Sequence, residues 1–85
     1  MTSTERTASP HLLVVDDDDE IVALLSRYFA NQGFRVSAAA DGAAMRAALE
    51  GEHIDLVLLD LGLPRESGFD LTRYLRERWG GAIII

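Results

Sequence analysis

At 85 residues and 48% hydrophobic, the chain can bury one small core and has no length for a second domain. It has no cysteine and only two histidines, which excludes a disulfide framework and a zinc cage and fits a reducing, cytoplasmic setting. The formal charge of −6, with all eight basic residues arginine, argues against direct nucleic-acid contact by this segment.

Residues 1–10 are polar and lack the apolar stretch of a signal peptide, so they read as a flexible tail, with the folded domain over 11–85. No apolar run approaches the roughly 20 residues needed to span a membrane. His11-Leu12-Leu13-Val14-Val15 is an uninterrupted apolar run, which predicts a strand buried on both faces of a parallel sheet. Residues 18–31 predict a helix with Ile21, Leu24, Leu25, Tyr28 and Phe29 on one apolar face, closed by Gly33. A short strand over 34–39 follows, and Asp41-Gly42 opens a second helix with Met45, Ala48 and Leu49 inward and Gly51 at its close. A third strand over 54–59 runs into Asp60, and the loop of residues 62–68 leads to a helix burying Leu71, Leu75 and Trp79. Gly80-Gly81 turns the chain into residues 82–85, a run that predicts a fourth, fully buried strand. Strand and helix alternate throughout, the pattern of βαβ units around a parallel sheet.

Two of these strands end in acids, Asp16-Asp17 after the first and Asp60 after the third. Parallel sheets place ligands beyond the carboxyl ends of their strands, so the three carboxylates are expected to meet at one mouth. Such a grouping is tolerated when a cation neutralises it. Asp17 and Asp60, a backbone carbonyl just after Asp60, and water suit the hard, octahedral shell of Mg²⁺, with Asp16 acting through a bound water. Asp60 is the candidate nucleophile, because a carboxylate at the end of a buried strand is rigidly presented and can accept a phosphoryl group as an acyl phosphate.

Other acids have plainer uses. Asp18, Asp19 and Glu20 fit the cap and first turn of a helix, where acids complement the dipole. His11 and His53 lack ligand-spaced partners and read as structural or exposed. Trp79 and Tyr74 read as core, Ser26 and Ser67 lack the surroundings of a nucleophile, and the absence of lysine leaves no phosphate-binding loop.

Together, Val14-Val15-Asp16-Asp17-Asp18, Leu58-Leu59-Asp60-Leu61-Gly62-Leu63-Pro64 and Gly68 resemble the receiver domain of bacterial response regulators, in the style of those joined to winged-helix transcription regulators. The resemblance implies a flavodoxin-like (CheY-like) doubly wound parallel sheet, present here as four strands and three helices and incomplete beyond them. It implies that a sensor histidine kinase phosphorylates Asp60, that Asp16, Asp17, Asp60 and the Gly62 carbonyl hold Mg²⁺, and that Pro64 and Gly68 shape the acceptor loop. It also implies a possible homodimer of the intact protein and DNA contact only through a separate output domain.

The pattern departs from that family after residue 85, where a Ser or Thr, a fourth helix, a fifth strand ending in Lys-Pro and a fifth helix are expected. Their absence predicts weaker phosphorylation, no signal output, and an isolated chain that is poorly soluble, partly unfolded or oligomeric. Two other functions compete. A haloacid-dehalogenase-type phosphatase also uses a strand-end aspartate with Mg²⁺, but needs a general acid at position 62, which is glycine. A receiver-like interaction module without phosphoacceptor activity is the other.

Overall fold

A computed structural model describes residues 9–85; of the tail read over 1–10, residues 1–8 lie outside the described residues. Its four strands, β1 (His11–Val15), β2 (Arg35–Ala39), β3 (Leu56–Leu59) and β4 (Ala82–Ile84), form one parallel sheet in the order β2-β1-β3-β4. Every residue of β1 is buried, as its apolar run and central place require. The register sets Val15 opposite Ala39 of β2 and Leu59 of β3, so the ends of the acid-bearing strands β1 and β3 are level.

Alternation along the strands sorts the core by face. Leu13 and Val15 of β1 and Val57 and Leu59 of β3 pack with Met45 of α2 (Gly42–Gly51) and Leu71 of α3 (Gly68–Tyr74). Met45 is fully buried, and truncating such a side chain to alanine costs about 2–5 kcal/mol. Leu12 and Val14 point to the other face, where Leu25 of α1 (Asp19–Asn31) joins Val14 and Leu58 around a cleft. Ala48, Leu49, Tyr74 and Trp79 pack against the core while half-buried.

The helix ends follow their local chemistry. Asp18 caps α1 by accepting the Glu20 and Ile21 N–H groups, and Asp41 caps α2 through Ala44 N–H. At the far end of α1, Phe34 N–H donates to Phe29 C=O and Gly33 N–H to Ala30 C=O, with Gly33 at φ +95°. The Phe29 and Phe34 rings meet edge to face at 5.6 Å, completing a Schellman closure.

Two expectations, on the fourth strand and on the third helix, are corrected, and the α1 stripe lies open on one side. The apolar stripe of α1 is only partly covered: Leu25 and Phe29 are half-buried, but Ile21, Leu24 and Tyr28 are 42%, 63% and 56% exposed. Among the described residues nothing packs on their outer side. The fourth strand is not fully buried, because it is an edge strand whose alternate side chains face that same open side, and Ile84 is 50% exposed. The third helix does not run on as an α-helix through Trp79. Residues Leu75–Trp79 widen into a π-helical turn, closed by Gly80 N–H donating to Leu75 C=O at 2.7 Å with Gly80 at φ +79°.

Candidate phosphoacceptor and metal site

The ladder of the sheet continues one residue past the strands. Asp16 N–H donates to Ala39 C=O at 3.0 Å, and Asp60 N–H donates to Val15 C=O at 2.9 Å. Both aspartates are therefore fixed at the backbone before their side chains enter the mouth. Each then uses one carboxylate oxygen in the same way: Asp16 Oδ1 accepts Asp18 N–H at 2.9 Å, and Asp60 Oδ1 accepts Gly62 N–H at 2.8 Å. These turns orient the carboxylates and leave each a second oxygen.

The result brings Asp16, Asp17 and Asp60 together, with one carboxylate oxygen from each within 4.8 Å of the others. Asp16 and Asp60 are half-buried and Asp17 is exposed. Two like charges 4 Å apart repel by about 1 kcal/mol in water and about 4 kcal/mol at the effective dielectric of a protein surface. Among the described residues none of the three forms an ion pair with an arginine. Three hard oxygen donors of this kind suit Mg²⁺. A cavity of about 300 Å³ abuts Asp16 and Asp60, walled by Val14, Leu25, Leu58, Leu61 and Ile85.

The other expected residues lie in the loop after β3. A Cβ at Gly68 would stand 2.6 Å from Leu61 Cδ2 and 3.1 Å from the Leu61 backbone, so glycine lets the start of α3 lie against the residue that follows Asp60. Pro64 lines a surface pocket with Asp41 and Arg46 of the α2 region. Asp18, Asp19 and Glu20 serve the first turn of α1 and stand apart from the cluster.

Sequence reasoning passed over three supports of this loop. Leu63 is buried and anchors the loop in the core, a role signalled only by one leucine in a polar segment. Ser67 caps α3 by accepting Asp70 N–H, which the Ser-x-x-Asp spacing carries. Glu66 accepts the Gly42 N–H at 2.6 Å, a contact across 24 residues that no local pattern reveals.

At the opposite end of the sheet, polar groups are matched. His11 is 3% exposed, with Nδ1 3.1 Å from His53 C=O and Nε2 2.7 Å from Ser37 Oγ. A carbonyl only accepts, so Nδ1 carries a proton there, while Nε2 lies against the serine hydroxyl and 3.6 Å from Glu52 Oε1. Asp55 accepts the His11 N–H at 2.8 Å and lies 3.0 Å from His53 Nε2. The hydrogen bond from the His11 backbone, followed by the His53 contributions, holds the Asp55 carboxyl below its ordinary value.

Residues 12–85 match the response regulator receiver domain. The chain is 43% identical over 75 residues to the TorCAD operon transcriptional regulatory protein TorR of Escherichia coli K12, covering 88% of this chain and 33% of that protein. It is 42% identical over 76 residues to the protein PetR of Rhodobacter capsulatus, covering 89% and 32%. The chain thus spans about a third of the length of these curated relatives. Its fold superposes on the receiver domain of TorR with a TM-score of 0.83 at 42% identity, covering 87% of this chain and 62% of that one. The response regulator TrrA of Thermotoga maritima, solved in complex with Mg²⁺ and BeF, gives a TM-score of 0.82 at 30% identity, covering 89% and 67%.

Proposed function

The chain belongs to the response regulator receiver domain family, and on that premise we propose that Asp60 is its phosphoacceptor, taking a phosphoryl group from the phosphohistidine of a sensor histidine kinase. In that transfer an Asp60 carboxylate oxygen forms the new O–P bond as the donor's N–P bond breaks, and the bonding pair leaves with the imidazole nitrogen. The product is an acyl phosphate on Asp60. The observation that carries this reading is the convergence of the Asp16, Asp17 and Asp60 carboxylates within 4.8 Å at the level ends of β1 and β3.

Asp16, Asp17, Asp60 and the Gly62 carbonyl are the groups proposed to hold Mg²⁺, the ion with which the relative TrrA was solved. When bound, the ion supplies charge neutralisation for the phosphoryl oxygens. The residues of this chain do the positioning. The Asp60 N–H bond to Val15 fixes the nucleophile's backbone, and the Gly62 N–H fixes its carboxylate. The chain is a phosphoacceptor domain in this reading, with chemistry limited to its own phosphorylation and dephosphorylation.

The curated relative TorR is named a transcriptional regulatory protein, which supports transcription control by an output domain as the role of a full-length protein, with DNA contact made there. The acidic charge of this segment suits that division. Among the described residues no helix is long and apolar enough to cross a membrane, in keeping with a cytoplasmic partner of a kinase.

Incubation with acetyl phosphate and Mg²⁺, followed by intact-mass measurement, tests the assignment. One added phosphoryl group in the wild type and none in Asp60→Ala is the expected result. Equal labelling of both would move the acceptor elsewhere, and no labelling of folded wild-type chain would leave the interaction-module reading.

A further inference from the structure

We propose that Glu66 is a positioning residue for the Asp16–Asp17–Asp60 site, acting as a latch between the acceptor loop and the start of α2. This rests on the phosphoacceptor reading above and adds a residue to it. Glu66 Oε2 accepts the Gly42 N–H at 2.6 Å, a charge-assisted bond at a helix N-terminus. Gly42 is buried and matched to this use, because a Cβ added there would overlap Glu66 Oε1. The carboxylate occupies the space that any other residue at position 42 would fill.

The start of α2 already has a cap, since Asp41 accepts Ala44 N–H at 2.8 Å. Glu66 therefore supplies something a local cap does not. Asp16 N–H is bonded to Ala39 at the end of β2, and three residues on, Gly42 N–H is bonded to Glu66. From Glu66 the chain leads back to Asp60, whose N–H is bonded to Val15, the neighbour of Asp16. These bonds and the chain between them close a path that runs through Asp16 and Asp60. The two acid-bearing strand ends are thus held by the sheet and, independently, by the latch. Arg65, directly before Glu66, sits at φ +65°, a left-handed conformation uncommon for a non-glycine residue, so the loop beside the latch carries some backbone strain.

Two variants separate the latch from the charge. Glu66→Gln keeps an acceptor oxygen in place, whereas Glu66→Ala removes it. Gly42→Ala leaves Glu66 intact and displaces it, with Leu71 Cδ2 as a second neighbour 2.9 Å away. NMR of the chain, titrated with Mg²⁺ alone, reads both the affinity and the Asp60 and Gly62 amide resonances. The expected result is an affinity loss of about 10-fold in Glu66→Ala, the scale of losing an outer-shell support. Gly42→Ala should fall in the same direction, Glu66→Gln should recover most of the affinity, and the double variant should lose less than the two single losses combined. The Gly62 amide should shift in Glu66→Ala before any Mg²⁺ is added.

Faster hydrogen exchange at Gly42 with unchanged Mg²⁺ affinity and an unmoved Gly62 amide would reduce Glu66 to a cap and overturn the proposal. If wild-type chain binds no Mg²⁺, the phosphoacceptor reading itself fails. The latch is then decided by the metal-free Gly62 resonance, which moves if Glu66 holds the loop and stays if it does not.

Discussion

The two ends of the sheet carry similar residues to opposite effect. At the end where the strands begin, Asp55 meets the His11 N–H and His53 Nε2, and buried His11 has a partner on each ring nitrogen. Where the strands finish, three carboxylates stand together and no arginine among the described residues answers them. Matched polar groups stabilise a fold, whereas gathered like charges oppose it and persist where something outside the chain completes them. The difference between the two ends lies in their partners: among the described residues, the acid at one meets histidines, and the acids at the other meet only each other and backbone N–H groups.

Breaking each end should therefore give effects of different kind and sign. The largest is chemical: Asp60→Asn should abolish acetyl phosphate labelling while the chain stays folded, checked by intact mass beside circular dichroism. Next, His11→Ala should destabilise by about 3 kcal/mol in chemical denaturation, since it opens a cavity and strands the Ser37 hydroxyl and His53 carbonyl, yet leave Mg²⁺ affinity unchanged. Asp17→Asn should do the reverse. Without metal it should raise stability by about 1 kcal/mol through relief of repulsion, and it should weaken Mg²⁺ binding in a calorimetric titration.

The smallest effect concerns pH. Because the folded-state pKa of Asp55 is lowered, its contribution is complete above the ordinary value of 3.8 and is lost as pH falls through the lowered value. Asp55→Asn should thus be less stable than wild type near neutrality. Acid titration of both chains should show that gap closing below the ordinary carboxylate value, and a gap that widened on acidification would contradict the matched network.

How much of this was legible in the sequence follows from the range of each interaction. The run from Leu12 to Val15 announces a doubly buried strand, and Asp18 and Asp41 announce helix starts, because those signals are local. Asp16, Asp17 and Asp60 could be brought together on paper because strand ends in a parallel sheet share a mouth. Periodicity fails where the answer depends on what lies beyond an element. The stripe of Ile21, Leu24 and Tyr28 shows which face of α1 is apolar and says nothing of what covers it. Residues 82–85 likewise read as buried because composition cannot tell a central strand from an edge. The widened turn at Leu75–Trp79 keeps an ordinary helical pattern, and the Glu66–Gly42 bond joins segments that only the fold brings together.

The most direct test of the central claim, that the acids at the strand ends are gathered for a cation, is the melting temperature of the chain with and without Mg²⁺, measured beside Asp17→Asn. Mg²⁺ at ten times its dissociation constant contributes about 1.4 kcal/mol and should raise the wild-type Tm by roughly 5–10 °C. The same concentration should raise the Tm of Asp17→Asn far less, from a higher metal-free starting point. A wild-type Tm indifferent to Mg²⁺, or an equal rise in both chains, would contradict the claim.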